Sequence, residues 1–249
     1  MATIARINIT PVKGLGLQHP GEVELTLAGV EENRRFYLIS GGRMFNGKDY
    51  GPIVRIRPTV DGNRFALRFP GGETVEDEIQ LGAAVTTDFW GRPVNGHLVE
   101  GPWARALSEY AGAAVHLVRT DVPGTGNDVN VGTLVSRESC ERLAAEMGAE
   151  VDPRRFRMTL ELEGLDPHEE DTWRDRVVRA GDAVLFMRGP VPRCVVTTQD
   201  PDTGVVTLDT LRGIKNYRGL RDGKAIDFGV YFDVEQPGRL RVGDAVELV

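Results

Sequence analysis

Short apolar runs rich in β-branched and aromatic residues, separated by glycine-rich turns, recur along most of this chain, and nothing constrains its fold more. Ala2 to Ile9 alternates, with Ile4, Arg6 and Asn8 on one face and Ala5, Ile7 and Ile9 on the other, as a half-buried strand does. Pro11-Val12-Lys13-Gly14 ends it in a turn. Val23 to Leu27 alternates again before the turn at Glu31-Glu32-Asn33, and Arg35 to Ile39 is an aromatic and β-branched strand. Val54–Pro58 and Arg64–Phe69 read as two more, split by Asp61-Gly62-Asn63. Later strand-like runs are Phe156–Leu162, Ala183–Met187, Cys194–Thr198, Val205–Leu208, Gly229–Val234 and Ala245–Val249. Strands this short, with turns this frequent, predict a β barrel or sandwich and not an alternating βαβ array.

Helical signals are fewer. Pro102 to Ala111 places Trp103, Ala106, Leu107 and Tyr110 at helical spacing, with Gly112 as its stop. Ser136 is a natural N-cap for Arg137 to Met147, where Cys140, Leu143, Ala144 and Met147 share a face and Gly148 ends the run. Cys140 is therefore a core residue of that helix. Asp152-Pro153 reads as another helix start, with proline in the first turn. Residues 71–100 carry no clear period, and Gly91–Gly96 is their most loop-like piece.

The 249 residues suffice for one large domain or two small ones with a substantial core. A net charge of −7 argues against a nucleic-acid binder and against attachment to an anionic membrane. No run of 18 apolar residues or basic-then-apolar leader is present, so the sequence predicts a cytoplasmic protein with no membrane partner. Two cysteines in unlike contexts make no disulfide framework, which fits a reducing compartment. His19, His97, His116 and His168 lack zinc-ligand spacing, and no glycine-rich fingerprint joins a strand to a helix. Asp200-Pro201-Asp202-Thr203-Gly204 looks acidic, but Leu211 stands where a calcium loop needs glutamate, so the cluster reads as a strand-ending turn.

The chemistry concentrates in Gly189 to Gly204, which reads GPVPRCVVTTQDPDTG. A loop stiffened by two prolines delivers Arg193 and Cys194 to the start of a β-branched run. The residues alone leave two readings. Cys194 is either a small buried apolar side chain or a thiol that the adjacent guanidinium of Arg193 holds as thiolate, a nucleophile and metal ligand. Asp200 is the nearest carboxyl in sequence and a candidate proton relay.

PVPRCVVTTQDPDTG, then LRGIKNYR at Leu211–Arg218, then FGVYFDVEQPGRLRVGDAVELV to the end, resembles the C-terminal part of the MOSC proteins, most closely the branch of the mitochondrial amidoxime-reducing components. The resemblance implies a mainly β (α+β) fold: a MOSC β-barrel with flanking helices, roughly 96–249, packed on an N-terminal β-rich subdomain, roughly 1–95. It implies the molybdenum cofactor in the crevice between them, with Cys194 as the metal's ligand beside Arg193. Pro11-Val12-Lys13-Gly14 and Asn33-Arg34-Arg35-Phe36-Tyr37 resemble the family's PVKS and DRxW elements, which assigns Lys13, Gly14 and Arg35 to the pterin and its phosphate. Gly14 stands in place of serine and Arg34 in place of aspartate. Arg157 matches the arginine of a Phe-Arg-Pro-Asn element, with Thr159 in place of its asparagine, while Arg154 and Arg155 read as surface charges. Asn130 closes a segment, Gly126–Asn130, that resembles a loop covering the cofactor.

The implied reaction is two-electron reduction of an N-oxygenated small molecule. No cluster of cysteines for an iron–sulfur domain is present, which implies a separate electron-donor protein. Two alternatives accompany this reading: a carrier that holds the molybdenum cofactor without turnover, and a metal-free enzyme using Cys194 as nucleophile or sulfur carrier.

Overall fold

A computed structural model describes residues 1–249. Seven strands close into a barrel in the order Ala2–Ile7, Leu160–Glu163, Gly132–Ser136, Asp227–Gln236, Ala183–Pro192, Val177–Ala180 and Ala245–Leu248. The one parallel pair joins Gly132–Ser136 to Leu160–Glu163. Such a pair needs a crossover, and helix α2 (Arg137–Met147) provides it. Ile4, Ile7, Leu134, Leu160, Leu162, Leu185, Met187 and Phe232 fill the barrel.

A five-stranded antiparallel sheet stands beside it, in the order Arg43–Phe45, Phe36–Ser40, His116–Thr120, Arg92–Glu100, Gln80–Phe89. Phe36, Leu38, Phe65 and Trp103 anchor a second core between this sheet, the hairpin strands Arg57–Asp61, Arg64–Arg68 and Thr74–Glu78, and helix α1 (Trp103–Ala111). Residue 95 thus falls inside a strand, the N-terminal sheet runs on to Thr120, and the first strand of the chain belongs to the barrel.

Both helix boundaries expected from capping appear. Gly112 (φ 65°) and Gly148 (φ 62°) end α1 and α2 in the left-handed region, and Ser136 accepts from the Ser139 N–H. Cys140 lies in the core of α2, 1% exposed. Several expectations are corrected. Gly91–Gly96 is no loop: a two-residue turn at Trp90-Gly91 joins two long strands. Pro52 starts a 3₁₀ turn over Gly51–Arg55, which delays the strand expected from Val54 to Arg57. Asp152-Pro153 starts only a 3₁₀ turn, Pro153–Phe156, which left-handed Arg157 (φ 52°) terminates. Val205–Leu208 makes a single bridge, Gln199 to Val206, instead of a strand.

Val195–Thr198 is also a 3₁₀ turn and not a strand, because Thr197 and Thr198 turn their hydroxyls back on the carbonyls of Cys194 and Val195. Helix α3 (Thr210–Arg218), capped by Asp209, was not among the helices expected from the sequence. Gly213 weakens its helical pattern, yet a Cβ there would lie 2.5 Å from the Met147 sulfur, so the glycine is what lets α3 approach α2.

Candidate functional site

A cleft opens between the N-terminal sheet and the end of the barrel. From the N-terminal side come Lys13, Gly14, Arg34, Asn46, Lys48 and Trp90, and from the barrel side Asp128, Arg155, Arg157, Arg193, Cys194 and Tyr231 among others. The strand ending at Pro192 hands the chain to Arg193 and Cys194, whose backbone is extended (φ −127°) before the 3₁₀ turn begins. Cys194 is exposed to the cleft, which settles the two readings of its environment against a buried apolar role.

The electrostatics are lopsided. Six cationic side chains line the cleft against one carboxylate, Asp128, on a chain of net charge −7. Lys13 Nζ donates to Asp128 Oδ1 at 2.5 Å and to the Gly126 carbonyl at 2.9 Å, while Arg34 stands 3.7 Å from Asp128 Oδ2. Burial pulls the Lys13 ammonium down to about 8, although Asp128 opposes the shift. Burial by itself would raise Asp128, but Lys13 and Arg34 overcome it and hold the carboxyl at about 2. Burial likewise lowers Arg157 and Arg193, and the neighbouring Cys194 works to raise Arg193 again. Tyr231 is pushed up to about 12 by burial, so its phenol keeps its proton.

Two of the cations sit on strained backbone. Arg34 (φ 55°) and Arg157 (φ 52°) are left-handed, a region that costs a non-glycine residue on the order of 1–2 kcal/mol. The pair is tied together, since Arg34 Nη2 donates to the Arg157 carbonyl at 3.2 Å and Arg157 Nη2 to the Leu15 carbonyl at 2.5 Å. The Arg34 N–H to Thr10 carbonyl and Lys13 N–H to Phe36 carbonyl bonds lace the first turn to the strand that follows Arg35. Arg193 donates to the Phe156 carbonyl and, at 3.2 Å, to the Met158 sulfur.

The structure therefore brings Lys13, Gly14, Arg157, Arg193 and Cys194 to one cleft and leaves four expected residues outside it. Arg35 is buried on the other side of its strand, donating to the Thr120 carbonyl, to Thr120 Oγ1 at 2.8 Å and to the Asp121 carbonyl at 3.3 Å. Arg34 occupies the place expected of it. Asp200 is not among the residues lining the cleft: its Oδ1 accepts from Thr203 Oγ1, Thr203 N and Asp202 N and stitches its own turn. Asn130 donates to Asp233 at 2.9 Å, and Thr159 pairs with Thr133, the residue of that pair that does line the cleft. Arg155 is no surface charge. It is 8% exposed and braces the turn after Cys194 by donating to the Thr198 carbonyl and Thr207 Oγ1. The sequence pointed to neither Asp128 nor Trp90, although Asp128 lies within the segment quoted for the covering loop.

The donor set suits a bulky anionic cofactor that carries its own metal. No group of three or more His, Cys, Asp and Glu side chains gathers to hold a bare ion, so the Cys194 thiol is the cleft's one potential thiolate ligand, and a metal there must bring other donors with it. The guanidinium Nε atoms of Arg155 and Arg193 are buried without partners beside it.

The sequence matches the MOSC N-terminal beta barrel domain over residues 1–110 and the MOSC domain over residues 123–247. It is 38% identical to human mitochondrial amidoxime reducing component 2, over 99% of this chain and 83% of that protein. It is 38% identical to Xenopus laevis mitochondrial amidoxime-reducing component 1, over 98% and 81%. Among solved structures, the YUAD protein from Bacillus subtilis aligns over 99% of this chain and 94% of its own, with 12% identity and a TM-score of 0.49. This chain belongs to the MOSC family, in a mainly β fold built on a closed seven-stranded barrel.

The relatives correct one expectation. They are named mitochondrial components, and that overturns the cytoplasmic assignment drawn from the lack of a leader. No helix of the structure is long and apolar enough to cross a membrane.

Proposed function

We propose that the cleft binds the molybdenum cofactor with Cys194 as the metal's protein ligand, and that the protein reduces N-hydroxylated small molecules with electrons from a separate protein. The relatives' names, amidoxime reducing components, support the reaction class. The observation that carries the reading is an exposed thiol in a cleft of six cations and one carboxylate on an acidic chain.

Lys13, Arg34 and Arg157 would hold the anionic end of the cofactor, Lys13 as a point charge and the arginines as forks. Gly14 leaves its backbone (φ 92°) open to close approach. Arg193 would steady the thiolate of Cys194 from the adjacent position. When bound, the cofactor supplies the two-electron chemistry that removes oxygen from nitrogen, and the protein's part is orientation and electrostatics. Tyr231 Oη holds a proton at the cleft wall at neutral pH, ready to donate a hydrogen bond.

The test is molybdenum content per chain in protein made in a cofactor-competent host, together with reduction of an amidoxime by a reduced dye. Cys194→Ser should remove metal and activity with little change in melting temperature, since a hydroxyl is a poor soft-metal ligand. Full molybdenum content in a folded serine variant would refute the ligand assignment, and metal without turnover would leave a carrier.

A further inference from the structure

Of the three tryptophans, Trp103 and Trp173 are buried, at 0% and 2% exposed, while Trp90 is 58% exposed. Trp90 opens the two-residue turn between Gln80–Phe89 and Arg92–Glu100, with φ 54°, followed by Gly91 at φ 87°. Turns of this kind favour asparagine, aspartate or glycine at the first position, because the left-handed backbone burdens a bulky side chain. The fold does not need an indole there. Phe89, 1% exposed, already anchors the hairpin in the core against Tyr37. The indole is nonetheless held in place, edge-on to Phe89 at 5.8 Å and with Lys13 Nζ 5.3 Å from its ring centre.

Its position is informative. Trp90, Asn46 and Lys48 line both the Cys194 cleft and an adjoining cavity that adds Gly42, Arg43, Met44 and Asp88. Arg43 and Lys48 are exposed and neither forms an ion pair. Asp88, the cavity's one carboxylate, is engaged by the Gly91 N–H at 3.0 and 3.1 Å and fixes the turn. A strained, solvent-facing indole beside two free cations fits a flat ligand with a negative substituent.

We propose that Trp90, Lys48 and Arg43 form a substrate subsite that takes planar conjugated molecules carrying an anionic group, carboxylate or phosphate, and presents them to the Cys194 cleft. The proposal rests on the reductase reading of that cleft. Trp90 supplies the stacking surface, and the two cations select charge.

Binding tests it without turnover. Holoprotein is titrated with benzamidoxime and with its carboxylate-bearing and phosphate-bearing derivatives, following tryptophan emission and, in parallel, heat. Both anionic compounds should quench the emission and bind about tenfold tighter than the parent. The tighter of the two identifies the anion. Trp90→Phe should abolish the quenching and keep binding within about threefold, while Trp90→Ala should lose about tenfold. Lys48→Ala combined with Arg43→Ala should erase the preference for the charged compounds, and molybdenum content should stay constant throughout. Equal binding of all three compounds, unchanged affinity in Trp90→Ala, or loss of molybdenum in that variant would each overturn the subsite, the last by assigning the indole to the cofactor. Tight, Trp90-dependent binding with no reduction keeps the subsite and removes the reductase reading. Reduction with a KM indifferent to Trp90→Ala does the reverse.

Discussion

Lys13 should make anion binding in the cleft depend on pH from about 8 upward, starting below the point, about 9, to which burial draws its cleft neighbour Arg157. Burial brings its ammonium down to about 8, whereas a solvated lysine keeps its proton to about 10.4. Between those values the unfolded chain binds more protons than the folded one, so this residue makes stability rise with pH across that window. Anion affinity should move the opposite way, since deprotonation removes one partner of the ligand. Sulfate remains a dianion throughout and is a clean probe in cofactor-free protein. A charge-assisted contact contributes on the order of 1.5–3 kcal/mol, which is about tenfold to a hundredfold in Kd. Calorimetric titration in a Cys194→Ser background, where the thiol makes no contribution, should show sulfate affinity begin to fall as pH passes about 8. Lys13→Arg keeps its charge and should flatten the profile, and Lys13→Met should show the weak affinity at every pH. A level wild-type profile, or an unchanged onset of decline near pH 8 in Lys13→Arg, refutes the reasoning.

Arg34→Ala should weaken sulfate by about tenfold with a small change in melting, while Arg35→Ala should leave sulfate untouched and cost about 2–3 kcal/mol in denaturant unfolding, because its guanidinium serves Thr120 and Asp121. Cys140→Ser should cost about 1–3 kcal/mol by placing a hydroxyl in an apolar core, with molybdenum content unchanged. Its thiol is pushed well up by burial and lies among Val135, Leu143 and Phe228. Gly204→Ala should cost at least about 2 kcal/mol and loosen anion binding as well, because the residue is left-handed (φ 73°) and its Cβ would meet the Gly51 carbonyl oxygen at 2.0 Å. Wild-type sulfate affinity in that variant would separate the contact from the site.

The barrel and its caps were legible because they rest on local chemistry, namely alternation, serine at an N-cap and glycine after the last helical turn. The failures have local causes too. Thr197 and Thr198 have high strand propensity, but their hydroxyls can satisfy carbonyls within the same turn, and here they do. At Arg34 and Arg35 the ambiguity was one residue of register. Reading the DRxW element from Asn33 to Phe36 places Arg34 at its arginine, and the left-handed backbone at Arg34 turns that side chain into the cleft. Nothing in a sequence announces a positive φ at arginine. Asp128 was hidden for another reason: a lone carboxylate in a loop has meaning only once Lys13 and Arg34 converge on it. Trp90 fell in the stretch without a clear period, and its exposure is a property of the folded hairpin alone.

The cleft exists only while two separately cored halves stay in register, so what holds them there governs the site. The Asp200–Gly204 turn does much of this. Gln199 Nε2, just before the turn, donates to the Gly47 carbonyl at 2.7 Å, and Asp202, itself held by Arg154 of its own half, meets Arg57 across the cleft at 3.5 Å. These ion pairs are half exposed, and pairs of that kind contribute at most about 1 kcal/mol each and less in salt. The Gly51–Gly204 approach is different in kind, because backbone meets backbone and salt cannot screen it. The acidic turn that invites comparison with a metal loop or a proton relay thus adds a backbone approach and an ion pair between the halves to the Lys13–Asp128, Arg34–Arg157 and Arg157–Leu15 contacts at the cleft itself.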